Sequence, residues 1–441
     1  MYRQLDIDTI LNNIDKIEDQ AKTIYLNSYE PTMDESKNVY KDIKQFIKDK
    51  KRIVYGGYAQ NELIRAKNEN DVFYKEIDLA DIEFYTPDPI GDMIDLCDML
   101  YQKKYKYIDG KEGVHNETYK IFVNFINYCD ISYMAPEIFN NIPTITIDGL
   151  RLSHPHFMLI DAYRVYTDPM TSYFRLKKTF TRFTKLINYY PFNENMTYNK
   201  IDYTDNKKED VLEFIKKKII RNSNLIVVGH FAFNRLMKKA KMSDQYIVDE
   251  PFYQVISINY SKDIDSIHNI LRKQFPSITK KTYYPFSQFL DKSSEWYIGD
   301  TLVLRIYGNN DKCTVYTKSH KKIKYGTFQL LFLYSLIHYN MGIIRKNKFN
   351  EVVYGTMIVR LIKARDKYLD DKKITVIDKS PFQEFTVKCI GEPKDLLRSS
   401  FLDRTKKRES GKRATFLYKP SGSAGKKPIF TFDDTSGMLK K

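Results

Sequence analysis

The stretch Ile53-Val-Tyr-Gly-Gly-Tyr-Ala-Gln-Asn-Glu-Leu63 returns downstream as Ile226-Val-Val-Gly-His-Phe-Ala-Phe-Asn-Arg-Leu236, with six of the eleven positions identical. Each copy is a short β-branched run, a glycine and a segment with helical spacing, which predicts strand, tight turn and helix N-terminus. An α/β unit starts this way, and the chain starts two of them. The echo continues downstream. Leu79–Tyr85 aligns with Val255–Ser261 as an alternating strand, Cys129-Asp-Ile131 with Cys313-Thr-Val315, and the apolar helix of Phe157, Leu159 and Tyr163 with that of Phe328, Leu330 and Tyr334. In this alignment Asp81 and Glu83 become Ser257 and Asn259, and Asp130 becomes Thr314, so the second copy keeps the apolar pattern and loses three acids.

In Asp81-Ile-Glu83 the strand period of two puts both carboxylates on one face, with Ile82 and Phe84 on the other. Asp130, in Tyr128-Cys-Asp-Ile-Ser132, again has its apolar neighbour Ile131 opposite. Pairing these strands gathers three carboxylates, which suits Mg²⁺ or Mn²⁺ bound through hard oxygen ligands, and two such ions serve phosphoryl or nucleotidyl transfer. Gly56-Gly57 stands between the strand Ile53-Val-Tyr55 and a helix beginning near Tyr58, where backbone N–H groups and the helix dipole can receive phosphate oxygens. Tyr55 and Tyr58 flank this turn, Tyr58 as a nucleotide contact and Tyr55 as core packing. Asp78 is a rival first acid, but its spacing of three from Asp81 puts it on the opposite strand face.

The 441 residues carry a net charge of +16, 42% hydrophobic and 29% charged residues, enough for two or three packed domains. Residues 1–50 show helical apolar spacing interrupted near Pro31. The first α/β unit runs over 51–195, a polar linker over Asn193–Asp210 opens the second at 196–345, a small region covers 346–397, and 398–441 reads as a basic flexible tail. That tail has twelve Lys and Arg against four Asp and Glu, half of the total excess. The most apolar run, Phe328–Tyr339, is broken by Gln329, Ser335 and His338 and is too short to span a bilayer. The first residues lack a basic region followed by an apolar core, so no secretion signal is expected, and a reducing compartment follows. Cys97, Cys129, Cys313 and Cys389 are widely spaced and read as buried packing residues; His154 and His156 lack the partners of a transition-metal site.

A Gly-Gly turn, then Asp-x-Glu, then a third acid on a later strand resembles the DNA polymerase β-like nucleotidyltransferase superfamily, matched by Gly56, Gly57, Asp81, Glu83 and Asp130. Twenty-four residues separate Gly57 from Asp81, longer than in many members, which implies an insertion around Lys67–Lys75. With its acid-free copy, the chain is similar to the poly(A) polymerase catalytic subunits of giant, Mimivirus-like DNA viruses and, more distantly, of poxviruses. The resemblance implies an α+β fold of two nucleotidyltransferase-like units in tandem, the second degenerate, with a helical N-terminal segment. It also implies AMP transfer from ATP to RNA 3′ ends without a template, with Asp81, Glu83 and Asp130 as metal ligands and catalytic acids. A homodimer follows from the same likeness; the expected location is the host cytoplasm, the viral factory or the virion, and the shortness of the apolar runs leads to an expectation of no membrane partner.

RNA requires cations for phosphates and flat side chains for bases. Arg175, Lys178, Arg182 and Lys185 lie opposite Leu176, Phe180, Phe183 and Ile187 on one helix and are RNA-binding candidates, as are Lys216–Lys218 and the run from Lys318 to Lys324. The same chemistry admits CCA addition or short oligoadenylate synthesis. A catalytically inactive RNA-binding scaffold is the reading from another class, and retention of all three acids in the first unit counts against it.

Overall fold

The computed structural model describes residues 2–75, 78–114, 117–193, 206–309, 312–318, 323–411 and 416–420. Two compact units emerge, one built from residues 1–133, 144–152 and a segment from 404 onward, the other chiefly from 134–143 and 153–403. Each contains one eight-stranded sheet.

In the first unit, the helices Gln4–Ser28 and Met33–Asp49 form the predicted N-terminal segment, separated at Pro31. Thr32 caps the second by accepting from Glu35 N at 3.3 Å, and this helix buries Val39, Ile43, Phe46 and Ile47. The strands follow as β1 (Ile53–Tyr55), β2 (Ile82–Thr86), β3 (Asp109–Glu112), β4 (Thr118–Val123), β5 (Ile126–Tyr133), β6 (Thr144–Ile147) and β7 (Leu150–Ser153). The second unit supplies β8 (Ile226–Val228), β9 (Tyr253–Ser257), β10 (Ile278–Tyr283), β11 (Ser293–Ile298), β12 (Thr301–Gly308), β13 (Thr314–Lys318), β14 (Lys324–Gly326) and β15 (Cys389–Ile390), and β16 (Leu417–Tyr418) returns to the first.

The sheet orders are β16-β3-β4-β5-β2-β1-β7-β6 and β10-β11-β12-β9-β8-β14-β13-β15. From β3 to β6 and from β10 to β13 they are the same path. Both have antiparallel β1/β2-type and parallel β2/β5-type pairs at the centre. The tandem repeat is therefore a repeat of topology, not only of one motif.

Three expectations need correction. The basic tail is not an open arm throughout: Leu396–Glu409 is helical, and β16 joins the sheet edge because Glu112 N donates to Phe416 O at 3.1 Å and Tyr418 OH donates to Asp98 at 2.5 Å. Residues 421–441 lie outside the described residues, as do 194–205 of the expected linker and 319–322 of the lysine run. Cys313 and Cys389 are not isolated packing residues but a disulfide joining β13 to β15, whereas Cys97 and Cys129 are buried thiols. Phe180 is half exposed, so the buried face of the helix Leu176–Tyr189 is carried by Phe183 and Leu186.

The run Phe328–Tyr339 lies within the helix Phe328–Ile344, almost wholly buried in the second unit. No helix among the described residues is long and apolar enough to cross a membrane.

Candidate active site

The strand β1 ends at Tyr55 and the chain turns into the helix Gly56–Arg65 through Gly56 at φ +70°, a conformation that favours glycine. A Cβ on Gly56 would meet Glu83 Oε2 at 1.6 Å, so the missing side chain is the space that the Glu83 carboxylate occupies. Gly57 N donates to that same oxygen at 3.0 Å. The N–H expected to receive a phosphate oxygen thus donates to a carboxylate.

The ladder sets the rest of the row. Glu83 is opposed by Tyr55 on one side and, in the parallel pair, by Asp130 on the other; Asp130 is opposed in turn by Lys120 of β4. Directly opposed residues share a face, so Tyr55, Glu83, Asp130 and Lys120 cross four strands in one line. Lys120 Nζ lies 2.7 and 2.6 Å from the two Asp130 oxygens, and Asn127 Nδ2 donates to one of them at 2.9 Å. Asp81 stands one residue before β2, two positions from Glu83. The buried Cys129 thiol has its pKa pushed well up, first by burial and then by the charges of Asp130, Asp81 and Glu83.

No three His, Cys, Asp or Glu side chains among the described residues are gathered tightly enough to hold a metal ion as they stand. The donor chemistry nevertheless fits a hard divalent cation: oxygen ligands on one face, with the Lys120 ammonium as the positive charge that now balances Asp130.

Other predicted residues go elsewhere. Asp78 precedes the strand, pairs with Lys22 at 2.8 Å and accepts from Lys75 N at 2.9 Å, so it is a tether of the N-terminal helix. Tyr55 stacks on Tyr85 with centroids 3.8 Å apart and shares a hydrogen bond with Ser132 at 2.8 Å, a packing role. Tyr58 is directed to Lys44, whose Nζ lies 5.8 Å from its ring. Arg175, Lys178, Arg182 and Lys185 sit at and along the helix Leu176–Tyr189 of the second unit, not in the unit of the three acids. Sequence reasoning missed Lys120 and Asn127. Lys120 is a lone charge in the alternating run Thr118–Val123, a usable signal, but only the register reveals its partner.

The second sheet also corrects the alignment of the repeat. Val228 opposes Gln254 as Tyr55 opposes Glu83, and Gln254 opposes Arg305 as Glu83 opposes Asp130. The counterparts of Asp81, Glu83 and Asp130 are therefore Phe252, Gln254 and Arg305, not Ser257, Asn259 and Thr314. Lys120 corresponds to Glu295, which opposes Arg305 and binds it at 2.5 Å. Gly229 repeats the turn at φ +65°, its absent Cβ replaced by the Gln254 side chain. The acidic pair partner has become basic and the basic one acidic.

The profile of the poly(A) polymerase catalytic subunit matches residues 41–172, and that of the C-terminal part of the mimivirus poly(A) polymerase catalytic subunit matches residues 184–439. The chain belongs to the viral poly(A) polymerase catalytic subunit family. Within this family, the poly(A) polymerase catalytic subunit of Acanthamoeba polyphaga mimivirus is 34% identical over 427 residues, spanning 89% of this chain and 73% of the relative. An African swine fever virus catalytic subunit is 30% identical over 155 residues, 34% of this chain and 32% of the relative. The crystal structure of the Megavirus polyadenylate synthase superposes with a TM-score of 0.93 at 32% identity, covering 100% of this chain and 93% of that one. The family is one of nucleotidyltransferases, and the acid row lies within the first matched region.

Proposed function

We propose that the chain adds AMP from ATP to RNA 3′ ends without a template and releases pyrophosphate, with the first unit as the catalytic domain and the second as its degenerate copy. The observation that carries this reading is the opposed register of Glu83 and Asp130 beside the Gly56-Gly57 turn. Asp81, Glu83 and Asp130 would hold two Mg²⁺ or Mn²⁺ ions. When bound, such ions supply charge neutralisation on the triphosphate and activation of the attacking hydroxyl. Asp130 accepts the proton of the RNA 3′-hydroxyl, which attacks the α-phosphorus as the bond to the pyrophosphate oxygen breaks. The Gly57 N–H and the helix N-terminus are the donors for phosphate oxygens, and Glu83, which accepts from Gly57 N, would leave that hydrogen bond to serve as a metal ligand.

Arg175, Lys178, Arg182 and Lys185 serve the RNA strand, and Tyr58 contacts the nucleotide. The protein works as a homodimer in the host cytoplasm or viral factory, with packaging in the virion as the alternative location. Extension of an end-labelled RNA primer with each NTP separately, under Mg²⁺ or Mn²⁺, tests the reading. Long ladders with ATP alone, absent from a folded Asp81→Ala, Glu83→Ala protein, are expected. RNA binding without extension by the wild type would leave the scaffold as the account, and incorporation of CTP would favour CCA addition.

A further inference from the structure

The second unit contains a cavity of about 470 Å³, within the size range of small-molecule sites. Arg235, Lys238 and Lys239 of the helix Gly229–Lys239 line it, opposite Tyr325 of β14. Arg235 is only partly exposed, and its Cζ lies 4.5 Å from the centre of the Tyr325 ring. No carboxylate pairs with it among the described residues, although burial disfavours its charge. Lys216, also on the wall, is shared with Glu213 at 3.5 Å. The one acid among the described lining residues, Glu250, accepts from Asn234 Nδ2 at 3.0 Å. Phe231 completes the wall, stacked on Tyr253 with centroids 3.9 Å apart.

This character belongs to the second copy alone. The repeat places Glu62 at the position of Arg235, and the strand ladders place Leu152 at that of Tyr325. Glu62 is bound to Arg65 at 2.7 Å. An acid in an ion pair and an aliphatic side chain have been exchanged for an unpaired cation on an aromatic face. A partly buried guanidinium is stabilised by an anion that can reach it, and flat groups beside it suit a base.

The geometry points to a nucleotide-recognition site in this cavity: Arg235, with Lys238 and Lys239, holds a phosphate, and the attached base packs among Phe231 and Tyr325. It rests on the reading that the chain acts on RNA and ATP, either of which presents this chemistry. The site is separate from the acid row and gives the degenerate unit a ligand of its own.

The test uses the full-length protein with EDTA, measuring anisotropy of a labelled oligoadenylate over a salt series. Arg235→Glu is expected to weaken binding by about tenfold and to flatten the salt dependence by about one phosphate contact, whereas Arg235→Lys retains the slope. If Arg235→Glu does not fold, Lys238→Glu with Lys239→Glu, both at exposed positions, replaces it with the same expectation. Direct binding of labelled AMP separates the sources: AMP bound by wild type and lost in the variant assigns free nucleotide, and no AMP binding beside weakened RNA binding assigns the strand. Unchanged affinity and slope for both ligands in a folded variant overturns the site. Primer extension by the wild type is read separately, so failure there removes the polymerase reading without deciding the cavity.

Discussion

Lys120 and Asp130 form a closed ion pair at directly opposed positions of β4 and β5, with both Asp130 oxygens within 2.7 Å of the ammonium. A divalent ion bound at Asp130, as proposed, would compete with this ammonium. Lys120→Met is expected to lower the Mg²⁺ concentration for half-maximal primer extension severalfold, and Asp130→Asn to reduce turnover by at least about 100-fold. EDTA should abolish extension. An unchanged Mg²⁺ midpoint in Lys120→Met would show that the ammonium and the metal do not contend for one carboxylate.

Gly56→Ala places a methyl group where Glu83 Oε2 now sits and strains a residue at φ +70°. The expected cost is about 1–3 kcal/mol of stability, read by urea unfolding, with a further loss of extension because Glu83 is displaced. Gly229→Ala meets the Gln254 side chain at 2.5 Å in the other sheet. It should cost similar stability with a much smaller loss of turnover per folded molecule. Equal activity losses would tie the two turns together.

Arg305 neutralises Glu295, which is only 6% exposed. Arg305→Ala leaves that carboxylate buried without its cation, with the Tyr297 hydroxyl as its remaining donor, a change that typically costs about 3–5 kcal/mol. Arg305→Met combined with Glu295→Gln should recover most of the loss in urea unfolding. A double variant no more stable than Arg305→Ala would mean that packing around the pair, rather than its charge, governs the site.

Burial pushes the imidazole of His154 down to about 4, aided by the neighbouring His156, and burial with the charge of Arg305 does the same for His230. The unfolded chain takes up these protons first. Stability present above about pH 6.5 is therefore lost as pH falls toward 4. His154→Asn, which keeps an acceptor for the helix cap that His154 now provides to His156 N, should flatten this acid limb by on the order of 2 kcal/mol. A wild-type stability constant from pH 7 to 5 would contradict the assignment.

The fold was legible where information is local. The glycine turn, the β-branched runs and the alternation around Asp81 and Glu83 all act within a few residues, and they suffice to predict two α/β units and the shared face of those acids. The proximity of Asp130 to Glu83 followed from pairing two neighbouring strands. The counterparts in the second copy were not legible, because Cys129 and Cys313 offered an attractive match while the true equivalence, Asp130 with Arg305, reverses the charge. Register is a property of two strands at once, and a linear alignment cannot count it. The Cys313–Cys389 bond and the placement of Tyr418 on Asp98 are likewise long-range contacts, and a two-residue strand such as β16 has no periodicity to betray it.

The edge strand β16 has a consequence for synthesis on the ribosome. The first unit begins near the start of the chain, yet Leu417 and Tyr418 border its sheet at β3. Everything between Tyr133 and Phe416 must be made before that edge is covered. At ~5–20 residues per second, translation leaves β3 open for a time on the order of tens of seconds. During that interval the nascent chain carries an uncapped sheet edge, and crowded polysomes are the setting in which such an edge finds the wrong strand.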